Sequence, residues 1–207
     1  MTERKSALPP WAVWLLWVGA NALAFAAVWL LSFALLALAK ILFGPLNEDR
    51  ILGYIVLPLA VLLPVLLQWL VLRHLFRPAA PWIAASIAGW ASVVVVGIVT
   101  TRVSVEFMQM ILGAGFLPLA FALLGLMLGA AQWLVLRQHA ARASWYVLAS
   151  ALGWPALILV IGPTINNLAE MTAIGLVPAL FTGAALAYML GKVPPPESAI
   201  RQMSAQQ

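Results

Sequence analysis

Gln68 and Gln132 are the side chains of this 207-residue chain best equipped for chemistry in an apolar medium. Each amide carries two donors and an acceptor. Both open the same word, QWLVLR, at Gln68–Arg73 and Gln132–Arg137. Each lies four residues before the last apolar residue of its run, roughly 6–8 Å below its end at ~1.5 Å per residue. Asn21, Ser86 and Ser150 each follow an aromatic (Trp17, Trp82, Tyr146) by four positions, at the starts of other runs and so at a similar depth. The spacing predicts a polar layer in which the glutamines bond Asn21, Ser86 or Ser150 on neighbouring helices. An amide in hydrocarbon needs such a partner, worth ~0.6 kcal/mol net in membranes. The layer either fixes helix register or lines a solute site.

Other reactive types are sparse. His74 and His139 follow the two QWLVLR words; no second His stands on a facing helix, so haem or magnesium ligation yields to solvated loop histidines. Glu106, Asn166 and Glu170 flank apolar runs at the other end of the chain's crossings. A carboxylate dipping into a membrane marks function by default, and a carboxylate starting a helix also complements the helix dipole. These three are the candidates for an outer solute site. Trp69 precedes Arg73, and Trp133 precedes Arg137, by one helical turn, which fits a guanidinium over an indole at an interfacial anchor. No nucleophile–base pair, phosphate-cradling glycine loop or HExxH motif is present, and there are no cysteines. We therefore expect no catalytic, cofactor or metal site.

The elements that position these residues are membrane helices. Apolar residues make up 65% of the chain and charged residues 8%, far from the ~45–50% and ~25% of soluble domains. Six apolar runs are readable: 11–39, 51–72, 82–101, 107–136, 145–161 and 171–190. Arg4, Lys5, Arg73, Arg77, Arg137, Arg142, Lys192 and Arg201 fall on one side of such a layout, and only Lys40, Arg50 and Arg102 on the other. This bias predicts cytoplasmic termini and makes the net charge of +5 a membrane-orienting feature, not a nucleic-acid one. Nine of the ten tryptophans, all but Trp29, fall toward the same side, as an aromatic girdle would.

The two QWLVLR words are 64 residues apart, and so are Ala85-Ser86-Ile87-Ala88-Gly89-Trp90 and Ala149-Ser150-Ala151-Leu152-Gly153-Trp154. Trp17 to Phe25 aligns with Trp82 to Trp90 at an offset of 65, and Gly183-Ala184-Ala185-Leu186 resembles Gly129-Ala130-Ala131-Gln132. Pro58, Pro118 and Pro178 recur every 60 residues. The expected fold is thus all-α, with six transmembrane helices as three tandem parallel hairpins at about 11–76, 80–139 and 143–191. Together they form one transmembrane domain, 1–191, followed by a polar cytoplasmic tail, 192–207. Gly89 and Gly153, the Gly125/Gly129 step, and Gly183 with Ala187 supply small faces for close helix packing.

The repeated QWLVLR, then Trp145 and the Ala149–Trp154 word, resembles a loose family of uncharacterised bacterial multi-pass membrane proteins of cyanobacteria and green filamentous phototrophs. The resemblance implies an inner-membrane protein and carries no activity with it. The first and last units depart from the pattern, with Asn21 and Leu186 at the polar positions. The expected function is a non-enzymatic accessory, assembly or interaction subunit of a membrane complex, with the bilayer, other subunits or a second copy as partners. The alternative is a small-solute transporter or a substrate-capture subunit. Six helices in this length also resembles the substrate-capture components of vitamin importers, whose ligand motifs are missing here.

Overall fold

Pro10 and Pro81 open their helices, where a missing N–H and a fixed φ cost nothing. From such starts the apolar runs propagate as helices with no amphipathic stripe, as expected where lipid covers one face and protein the other. The computed structural model describes residues 8–44, 48–76, 78–102, 115–140, 142–160 and 167–191. Among them it forms α1 (Pro10–Phe43), α2 (Glu48–Leu72), α3 (Pro81–Arg102), α4 (Phe116–Leu136), α5 (Ser144–Ala156) and α6 (Leu168–Gly191). A 3-10 turn, Leu157–Leu159, extends α5. The chain is an all-helical, multi-pass membrane protein. α1, α4 and α6 are long and apolar enough to cross a bilayer; Val56–Leu72, Pro81–Val96 and Ser144–Leu159 are shorter apolar helical segments.

Element lengths have local causes. α1 runs for 34 residues, about 51 Å by the helical rise. That exceeds the ~30 Å hydrocarbon core, so α1 must tilt or project. It stops at Gly44, whose φ of 77° is open to a residue without Cβ and whose N–H closes on the Lys40 carbonyl at 3.0 Å. α5 is only 13 residues; with Pro155 in its last turn, the chain tightens into the 3-10 turn.

Each helix packs on its neighbours in sequence, and α6 closes on α1, so the six form a ring. The α1–α6 seam is the most extensive and α2–α3 the sparsest. Glycines let two of the seams close tightly. A Cβ on Gly125 of α4 would strike the Ser150 carbonyl of α5, and one on Gly175 of α6 would strike the Asn21 carbonyl of α1. These backbones touch because nothing lies between them. Gly125 stands three residues before Leu128 and Gly175 three before Pro178; the corresponding residue on α2, three before Pro64, is Val61.

The largest core cluster lies at the end of the ring that carries Arg73, Arg137 and Arg142, here termed the basic end. Two smaller clusters occupy the far end, around Val28 between α1, α2 and α6, and around Leu157 between α5 and α6.

Candidate functional site

The polar layer forms. Gln68 Nε2 donates to Asn21 Oδ1 at 2.7 Å, and Gln132 Nε2 donates to Ser86 Oγ at 3.0 Å. The two glutamines also meet, Gln132 Nε2 to Gln68 Oε1 at 3.5 Å. Asn21 turns its own amide back to the Trp17 carbonyl at 2.8 Å. Ser150 is buried at the same level, against Gly125 and Gly129.

The layer has further members. Trp82 Nε1 donates to Gln68 Oε1 at 3.2 Å, and Tyr146 Oη donates to Gln132 Oε1 at 3.1 Å. Trp17 Nε1 donates to Thr182 Oγ1 at 3.0 Å, and Thr182 donates on to the Pro178 carbonyl at 3.0 Å. Trp17, Trp82 and Tyr146 sit edge to face in a closed triangle, with centroids 5.7, 5.9 and 6.2 Å apart and planes 80–82° apart. Aromatic pairs favour this geometry. All three are fully buried, so they are not part of an interfacial girdle. They fill the axis of the ring on the basic side of the glutamines.

Thr182, not Leu186, therefore occupies the third polar place. Leu186 lies one turn further on, buried in the same cluster as Leu72 and Leu136, each of which is four residues past its glutamine. The signal was present in the sequence: Pro64 precedes Gln68 by four residues and Pro178 precedes Thr182 by four. Pro64 and Pro178 face the axis, whereas Pro58 and Pro118 are exposed.

On the far side of the layer the axis opens into a cavity of about 40 Å³. Asn21, Gln68, Gln132, Ser150 and Thr182 form its polar wall, and Phe25, Trp90 and Trp154 its aromatic one. Trp90 and Trp154 meet edge to face at 6.0 Å. A water needs ~10–15 Å³ of such space, so the cavity has room for roughly three or four. Proline supplies an extra acceptor, because Pro178 leaves the Ile174 carbonyl without its helical N–H, and Ile174 lines the cavity. Among the described residues the buried side-chain oxygen without a hydrogen-bond partner is Ser32 Oγ, about three turns outward from Asn21 on α1.

The interfacial pairs are present as well. The Arg73 guanidinium lies 5.2 Å from the Trp69 ring centroid, and that of Arg137 lies 5.0 Å from Trp133. His74 is exposed, as a loop histidine should be. His139 is not: it is half-buried, stacked on Phe76 at 4.3 Å, with Nδ1 3.0 Å from the Val135 carbonyl. It ties the α4–α5 connection to the α2–α3 connection.

Of the outer trio, only Glu170 is among the described residues. Glu106 and Asn166 lie outside the described residues. Glu170 is half-buried in the first turn of α6, where its backbone N–H is capped by Asn167 Oδ1 at 2.9 Å. That position suits a carboxylate at a helix start. Among the described residues no cluster of three or more His, Cys, Asp or Glu could hold a metal ion. No family model, curated protein or solved structure matches the chain.

Proposed function

We propose that the chain is a non-enzymatic structural subunit of a bacterial cytoplasmic membrane, an accessory or assembly element of a membrane complex, with both termini in the cytoplasm. The observation that carries this reading is the closed axis. The Trp17–Trp82–Tyr146 triangle and its hydrogen bonds fill the ring centre, and the cavity behind it, about 40 Å³, is well below the ~300 Å³ at which small-molecule pockets begin. Among the described residues no charged side chain lines that cavity. The polar layer then serves to fix helix register, since an incorrectly docked helix would leave an amide unpaired in hydrocarbon.

We read the ring as three tandem hairpins, α1–α2, α3–α4 and α5–α6, in keeping with the resemblance to the cyanobacterial and green filamentous phototroph proteins. Three contacts support this. Trp82 reaches back 14 residues to Gln68, and Tyr146 reaches back 14 to Gln132. Trp17 closes the cycle on Thr182.

Flux and assembly measurements test the proposal together. The purified chain in proteoliposomes should leave proton, potassium and small neutral solute leak at the level of protein-free vesicles. Extracted from native membranes in mild detergent, it should migrate in a complex larger than its own 22.2 kDa plus detergent. Saturable uptake of a solute, or a clean monomer from native membranes, overturns the reading.

A further inference from the structure

The α5–α6 hairpin departs from the other two in a way that makes room. Aligned on the polar layer, α6 reads Thr182-Gly183-Ala184-Ala185-Leu186-Ala187-Tyr188, where α2 and the turn after it read Gln68-Trp69-Leu70-Val71-Leu72-Arg73-His74. α4 repeats the α2 pattern with Leu134 and Val135. The bulky pair Leu-Val has become Ala-Ala, and the anchoring Trp and Arg have become Gly and Ala. A groove of about 430 Å³ lies there on the outer surface, with Ala149, Ala184 and Ala185 among its lining residues. Leu152 and Phe181 flank it, both exposed, and Trp145 and Tyr188 stand at its basic end, 6.4 Å apart edge to face. From Trp145 to Leu152 it runs about 10 Å along α5 by the helical rise.

A cation lies at this end. Arg142, exposed, donates from Nη1 to Tyr188 Oη at 2.9 Å. The corresponding position before α3 is Pro78, 64 residues earlier. The third hairpin has thus lost the arginine of its returning helix and gained one from the preceding turn, at the mouth of the groove.

We propose that the groove binds one anionic phospholipid of the leaflet at the basic end, an acyl chain lying over the alanines and the phosphate meeting Arg142. An apolar trough two helical turns long suits a hydrocarbon chain, which has no backbone polar groups to satisfy. A guanidinium with four further N–H donors beside a tyrosine and a tryptophan suits a phosphodiester at headgroup depth. The inference stands apart from the subunit reading, because a transporter would carry the same groove.

Native mass spectrometry of the full chain from micelles doped with equal phosphatidylglycerol and phosphatidylcholine of matched chains tests it. The wild type should retain one phosphatidylglycerol about fivefold over phosphatidylcholine, the factor expected of one basic residue at the surface. Arg142→Gln should abolish that preference. Ala184→Leu with Ala185→Val, which restores the pattern of α2, should reduce retention of both lipids. Equal retention of the two by wild type, or unchanged phosphatidylglycerol retention in the filled variant, overturns the proposal. A photo-crosslinking residue at Leu152 gives an independent reading even if the filled variant does not fold. Crosslinks to labelled phosphatidylglycerol support the site, and crosslinks to a protein in its place overturn it.

Discussion

Gln132 makes its three hydrogen bonds with Ser86, Tyr146 and Gln68, each on a different helix from its own. Gln132→Leu would leave a buried hydroxyl on Ser86 and a buried phenol on Tyr146 without their partner. The expected loss is about 1–3 kcal/mol, read as a lower melting temperature in detergent. Thr182→Val should cost less, because the Trp17 indole loses its acceptor while Tyr146, which Thr182 also meets, keeps its bond to Gln132. Equal losses for the two would mean that the layer is not held by these bonds. The glutamines were legible in the sequence because an amide is conspicuous in a chain that is 65% apolar. Their aromatic donors were not, since Trp and Tyr at helix ends are ordinarily interfacial, and only burial separates Trp17, Trp82 and Tyr146 from exposed Trp11 and Trp145. Thr182 was missed because the small residues after it align more readily with Gly129-Ala130-Ala131 than its own proline spacing does with Gln68.

Helix seams in this ring are set by whether a Cβ fits. Gly125→Ala should push α4 from α5 and destabilise the fold, because the added carbon meets the Ser150 carbonyl. Gly19→Ala, on an exposed face of α1 with nothing within 4 Å, should stabilise by about 0.5–1 kcal/mol through helix propensity alone. Opposite signs in a thermal melt are the expected result; the same sign for both would remove close packing as the cause. The GxxxG spacing on α4 showed in the sequence that a helix would approach there, but not which one. Helix lengths were less legible: α5 stops at Ala156, inside an apolar run that reads as continuous.

The proposed orientation, with the basic end of the ring in the cytoplasm, is a property of the entire molecule and can be tested directly. Because the chain has no cysteine, single replacements report cleanly. Gln138→Cys, exposed at the basic end, should stay unlabelled by an impermeant maleimide outside intact cells, and Gly115→Cys, exposed at the far end, should be labelled. The reverse pattern would invert the topology.

The ring also has no obligatory first helix. α1 and α6 run antiparallel along their seam, Trp14 bonding the Leu180 carbonyl at 3.2 Å near one end and Asn21 abutting Gly175 further along. The start of α1 and the end of α6 therefore lie close together at the basic end. The turn between α2 and α3 lies at that same end, at the sparsest seam. A chain that begins at Pro78, continues through α6, passes by a linker into α1 and finishes at Phe76 would keep every hairpin whole and every crossing in its original direction. Such a circular permutant should insert and reach the wild-type fold, and the order of synthesis would then matter less than the cycle of contacts.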